Sequence, residues 1–219
     1  MNKNWSNLNK EFQNHFKKEN FGQGIAYLLQ LRKTLFDFVC EMKANLTLSA
    51  FSQQPFFNHK GYENKTIAYS LYHIFRIEDI VANILINGQE KDLFLGKDYQ
   101  KRLNSPLITT GNELVKEEIR GFSEKLNIDA LYEYITDVYQ TSNNLIQSLS
   151  FENLNQSFSK NDKERIQKAK VVSLNENAQW LIDYWGNKDV KGLLKMPFSR
   201  HWIMHIEACE RIRRGIKKN

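Results

Sequence analysis

Apolar positions along this chain recur every three to four residues, the period of a helix that turns one face to a core. Trp5, Leu8, Phe12 and Phe16 (or His15) mark a short helix over residues 4–18. After Gly22 and Gly24, the phase of Leu28, Leu35, Val39 and Met42 predicts a long helix over about 23–46. Residues 47–64, with Pro55, His59 and Gly61, read as a loop. A second long helix follows over about 65–87, with Asn64 or Thr66 as its cap and Gly88 at its end. A connection over 88–111 leads to a short helix at 112–122. A third long helix is predicted at about 128–149 on Leu131, Ile135, Val138, Leu145 and Leu149, with Asp129 as a candidate cap. The polar segment 150–174 contains KNDKERIQKAK, an exposed helical turn or loop by its charge. A helix at 175–185 and a last long helix at about 197–215, opened by Pro197, complete the pattern.

No segment alternates with the period of a strand. The expected fold is therefore all-α: a single domain over 1–219 built as a four-helix bundle, with short accessory helices and long connections. Residues 1–20 form an N-terminal accessory helix and the core spans about 23–216. The two long connections are expected to cover an end of the bundle.

Composition narrows the function classes. The net charge is +6, but lysines are scattered and acidic residues interleave with them. The only tight basic cluster is Arg211, Arg213, Arg214, Lys217 and Lys218, at a helix C-terminus where the macrodipole favours it. No nucleic-acid recognition motif accompanies the charge, so no specific nucleic-acid partner is expected. No run of about 18 apolar residues exists, so no membrane span is expected. The N-terminal stretch lacks the apolar centre of a signal peptide. Two cysteines, Cys40 and Cys209, each expected in an apolar helical stripe, form no disulfide framework. That usage fits a reducing, cytoplasmic setting.

Three histidines carry the candidate chemistry. His201 and His205 stand four apart in PFSRHWIMHIEACERIRRG, on a stripe with Phe198, Trp202, Ala208, Cys209 and Ile212. Residues i and i+4 share a helix face, with Cβ atoms about 5–6 Å apart. Imidazoles on a buried stripe need partners, and one divalent metal ion satisfies both. His73, on the stripe Ser70, His73, Ile77, Ile80 and Ile84 of the second long helix, also points inward. Three protein ligands leave coordination positions open, the pattern of catalytic metal sites. The competing reading is three core histidines bonded to ordinary neighbours.

Two segments, SLYHIFRIEDIVANILI and PFSRHWIMHIEACERIRRGI, resemble the ligand-bearing second and fourth helices of the DinB/YfiT-like superfamily, bacterial metal-binding four-helix bundles. The likeness spans about residues 23–216. It implies His73, His201 and His205 as ligands of a zinc or nickel ion. Characterised members include thiol-dependent enzymes, namely S-transferases using bacillithiol or mycothiol and a mycothiol-dependent maleylpyruvate isomerase, while many other members have no known activity. The resemblance thus implies a metal-dependent thiol S-transferase, with a low-molecular-weight thiol and a small electrophile as partners, and allows a homodimer. The alternative is a non-catalytic, metal-stabilised stress-response or binding module.

Glu78, five residues after His73, sits among Leu71, Ile74, Phe75, Val81, Ala82 and Leu85. It is the candidate catalytic carboxylate, as a general base or as an orienter of a ligand histidine. Its competing reading is an ion pair with Arg32, the lone charge on the first long helix's apolar stripe. Arg76 and Asp79 either anchor an anionic substrate or fix neighbouring helices, or form interhelical ion pairs at the bundle surface, the preferred reading. Arg200 is expected to face solvent. Tyr72, Trp185 and Trp202 either line a pocket mouth or belong to plain core. Cys209 is expected to pack rather than ligate.

Overall fold

Every regular element among the residues described, 2–57 and 64–216 of a computed structural model, is helical. His59, Gly61, Lys217 and Lys218 lie outside those residues. In chain order the helices are α1 (Lys3–Asn14), α2 (Phe21–Asn45), α3 (Ile67–Asp79), α4 (Leu93–Gly96), α5 (Tyr99–Arg102), α6 (Glu117–Lys125), α7 (Ile128–Ser148), α8 (Lys160–Ala169), α9 (Glu176–Gly186), α10 (Val190–Lys195) and α11 (His201–Ile216). No helix among the described residues is long and apolar enough to cross a membrane.

The bundle is built from α2, α3, α7 and α11. Helix α3 packs against α7 and α11, and α2 closes the ring by touching both. Helix α1 lies along α2 and buries Trp5, Leu8 and Phe12. One hydrophobic cluster runs from Trp5 to Ile212.

Helix α3 is the centre of the molecule: every residue from Ile67 to Leu85 is buried. A helix enclosed on all sides is expected to be apolar all round. This one also carries Ser70, His73, Arg76, Glu78, Asp79 and Asn83, so each needs a partner inside the fold. Thr66 starts it, its hydroxyl accepting from the Tyr69 N–H at 3.0 Å. Beyond Asp79 the helix widens into a π-helical run over Ile80–Ile86, and Gly88, at φ 69°, turns the chain out.

Several boundaries differ from the sequence pattern. The first helix ends at Asn14, leaving Phe16 buried outside it. Residues 48–52 of the predicted loop form a 3₁₀ turn. The short helix predicted at 112–122 is α6, shifted to 117–125. Asn127, not Asp129, caps α7, accepting from the Ala130 N–H at 3.1 Å. The polar segment 150–174 holds the full helix α8, started by a Ser159–Asp162 capping box. It covers the C-terminal end of α3's run, where Arg165 donates to the Ile84 carbonyl at 3.2 Å. Helix α10 was not legible at all, and the last helix opens with a π turn over Met196–Arg200. Cys209 is buried as expected, whereas Cys40 is exposed rather than part of an apolar stripe.

Candidate metal centre

Helices α3 and α11 pack side by side, and their contact brings the three histidines together. The ring centroids lie 5.1 Å apart for His73 and His201, 4.8 Å for His73 and His205, and 4.5 Å for His201 and His205. One ring nitrogen from each falls within 4.8 Å of the others. That proximity is what a single ion held by three imidazoles, with bonds of about 2.0–2.1 Å, would need. All three residues are buried, at 5%, 8% and 9% exposure.

The hydrogen bonds decide how the rings are used. His73 Nδ1 lies 2.9 Å from the Thr110 carbonyl, which can only accept, so Nδ1 carries the proton and Nε2 is free. A ligand histidine held this way by a backbone carbonyl is the usual outer-shell arrangement of metal sites. The Tyr69 ring stacks on His73 at 5.7 Å. His201 Nδ1 and His205 Nδ1 are buried with no hydrogen-bond partner among the described residues. Two orphaned imidazole nitrogens beside a third, pre-oriented ring are costly in an ordinary core. The donor set suits a borderline cation that accepts imidazole. Among the described residues this is the one cluster of metal-ligating side chains.

Burial keeps the three rings neutral, the form a metal needs. It pulls the His73 pKa down to about 4, against the raising effect of the Thr110 bond. Burial pulls His201 and His205 well below the usual histidine value, helped by the neighbouring imidazoles and by Lys65. The unfolded chain takes up these protons from about pH 6.5 downward, while the folded chain resists. The metal-free protein therefore loses stability as the pH falls from about 6.5 toward 4. Each histidine contributes a slope of up to about 1.4 kcal/mol per pH unit within that window. Chemical denaturation of metal-free protein at a series of pH values checks this. A flat profile between 7 and 5 would contradict neutral, buried rings.

Compared with models of known protein families, with curated proteins and with solved structures, the chain matches none. The histidine cluster and its surroundings therefore carry the functional reading.

Glu78 is not part of that cluster. It is fully buried, and Arg32 donates to both of its oxygens, at 2.6 and 3.0 Å. The Ser142 hydroxyl adds a third bond at 2.5 Å. Of the two readings open for this residue, the geometry is the ion pair with Arg32. Arg32 stacks on Trp202 at 4.4 Å, so Trp202 is core rather than pocket mouth, as are Tyr72 and Trp185. Arg76 and Asp79 are fully buried rather than at the bundle surface, and they pair with each other within α3 at 3.4 Å. Arg76 also meets Asp92 at 3.0 Å and donates to the Ile108 carbonyl at 2.6 Å. Arg200 is exposed, as expected. Cys209 is buried but does not join the cluster of candidate ligand atoms, and burial pushes its thiol up to about 12.

The sequence pattern missed Thr110. It acts through a main-chain carbonyl, which every residue has. Glu113, three residues on, was missed too. Thr109 Oγ1 donates to one of its oxygens, and the other is buried without a partner among the described residues.

Proposed function

We propose that this chain is a DinB-like metalloprotein in which His73, His201 and His205 hold one divalent ion, zinc or nickel. The observation that carries this is the pair of buried, unpartnered Nδ1 atoms on His201 and His205 beside a His73 ring already fixed by Thr110. Three ligands from the protein leave positions for an exogenous group.

On that basis we read the activity as thiol S-transfer. A bound divalent ion supplies Lewis acidity, which lowers a thiol's pKa so that thiolate is present at neutral pH. In such a transfer the thiol proton would pass to solvent, and the sulfur would bond to an electrophilic carbon as the leaving group departed with its electron pair. The three histidines stay neutral throughout and serve as ligands. Glu78, committed to Arg32, is not needed in any step.

A second reading is favoured by the burial of all three rings: a metal that stabilises the bundle without turnover. Cobalt separates the two. In cobalt-loaded protein, a low-molecular-weight thiol such as bacillithiol is expected to produce a saturable near-ultraviolet charge-transfer band. Cobalt uptake with no such band, at any thiol concentration, sinks the S-transferase and leaves the metal-stabilised module.

A further inference from the structure

One face of α3 reads an entire stretch of backbone. Residues 69, 72, 73 and 76 lie on a single helical stripe. Their side chains meet consecutive carbonyls of the irregular segment Leu107–Gly111. The Tyr72 hydroxyl lies 2.9 Å from the Thr109 carbonyl and 3.2 Å from that of Leu107, sharing one hydrogen between them. Arg76 donates to the Ile108 carbonyl at 2.6 Å. His73 donates to Thr110 at 2.9 Å, and Tyr69 to Gly111 at 3.2 Å. At the far end Gly111 has φ 76°, and a Cβ there would stand 3.2 Å from the Tyr69 ring. The segment is thus clamped on both sides of the one carbonyl that orients a candidate ligand.

We propose that the strap Leu107–Gly111 is the positioning element of the metal centre, clasped by Tyr69, Tyr72 and Arg76 so that the Thr110 carbonyl fixes His73 with Nε2 as its ligand atom. This rests on reading the three histidines as metal ligands. Tyr72 and Gly111 are positioning residues, since neither touches the ion. A carbonyl has no side chain to mutate, so the strap is tested through its two ends.

The experiment compares Tyr72→Phe and Gly111→Ala with Tyr132→Phe. Tyr132 is the matched control: its buried hydroxyl also donates to a carbonyl, that of Val39 at 2.9 Å, but between α7 and α2 and away from the strap. Zinc affinity is measured by chelator competition, and the His73 tautomer by ¹⁵N NMR of the metal-free proteins. Both strap variants are expected to weaken zinc binding about tenfold or more, the low end of outer-shell effects, and to lose the fixed Nδ1–H of His73. Tyr132→Phe should stay within about twofold of the parent, although it loses a comparable hydrogen bond. Unchanged zinc affinity in the strap variants overturns the proposal. So does an equal loss in Tyr132→Phe, which would make the effect one of general stability. If Gly111→Ala does not fold, Tyr72→Phe decides alone. A parent protein that takes up no zinc overturns the metal centre and the strap's role together. Zinc uptake with unaffected strap variants overturns the strap alone.

Discussion

Replacing His201 or His205 with leucine abolishes metal binding and leaves the metal-free protein as stable as the parent or more so. The two effects have different causes, and their combination is diagnostic. An ion on three imidazoles loses one of its ligands. Zinc sites of four ligands are worth about 10–16 kcal/mol, so one ligand accounts for about 3 kcal/mol, or at least a hundredfold in affinity. Metal content measured by elemental mass spectrometry should fall from about one ion per chain to below a tenth. The metal-free comparison goes the other way. Each of these rings buries an Nδ1 with no partner among the described residues, a penalty of about 1–3 kcal/mol. Leucine removes the orphan and keeps apolar contact with the stripe. In a chain of 219 residues that is worth a melting-temperature gain of a few degrees. His73→Leu differs in sign. It strands the Thr110 carbonyl that His73 now satisfies, so it lowers metal-free stability as well as metal content. If His201→Leu instead destabilises the metal-free protein by several degrees, and the parent takes up neither zinc nor nickel, the histidines are core residues.

Most of this site was legible because helical phase is a strong signal. The stripe through Ser70, His73 and Ile77, and the four-residue spacing of His201 and His205, placed all three rings on inward faces before any packing was known. The Arg32–Glu78 pair was legible for the same reason, each being a charge stranded on an apolar sector. What phase cannot show is depth. Arg76 and Asp79 read as members of interhelical ion pairs at the surface, but α3 is enclosed on every side and both are buried. The π runs at Ile80–Ile86 and Met196–Arg200 were invisible because they shift the period itself. Helix α8 was masked by its polarity, although Ser159 and Asp162 spell a capping box. The strap was out of reach because its work is done by backbone carbonyls. Only the glycine at 111, with its positive φ, left any trace in the sequence.

The Arg32–Glu78 pair predicts a large loss of stability when it is broken. All five N–H donors of Arg32 are engaged: Asn143 Oδ1 at 2.6 Å, the two Glu78 oxygens, the Phe198 carbonyl at 2.9 Å and Ser142 Oγ at 2.7 Å. Arg32→Met leaves the Glu78 carboxylate buried with a single hydroxyl donor. Removing one member of a buried pair costs about 3–5 kcal/mol, here a fall of about 10 °C in melting temperature. Glu78→Leu should be as severe, since it strands the guanidinium. The double variant Arg32→Met/Glu78→Leu should recover most of the loss, because it removes both charges and leaves an apolar core. It will not recover all of it, since the Phe198 carbonyl in the turn before His201 and the Asn143 amide lose a donor. That double variant also settles the role of Glu78. If the pair is structural, the variant folds, holds its metal and keeps any thiol chemistry. A variant that folds and holds the metal but no longer turns over would return Glu78 to the reaction, and the ion pair would then be the resting state of a base.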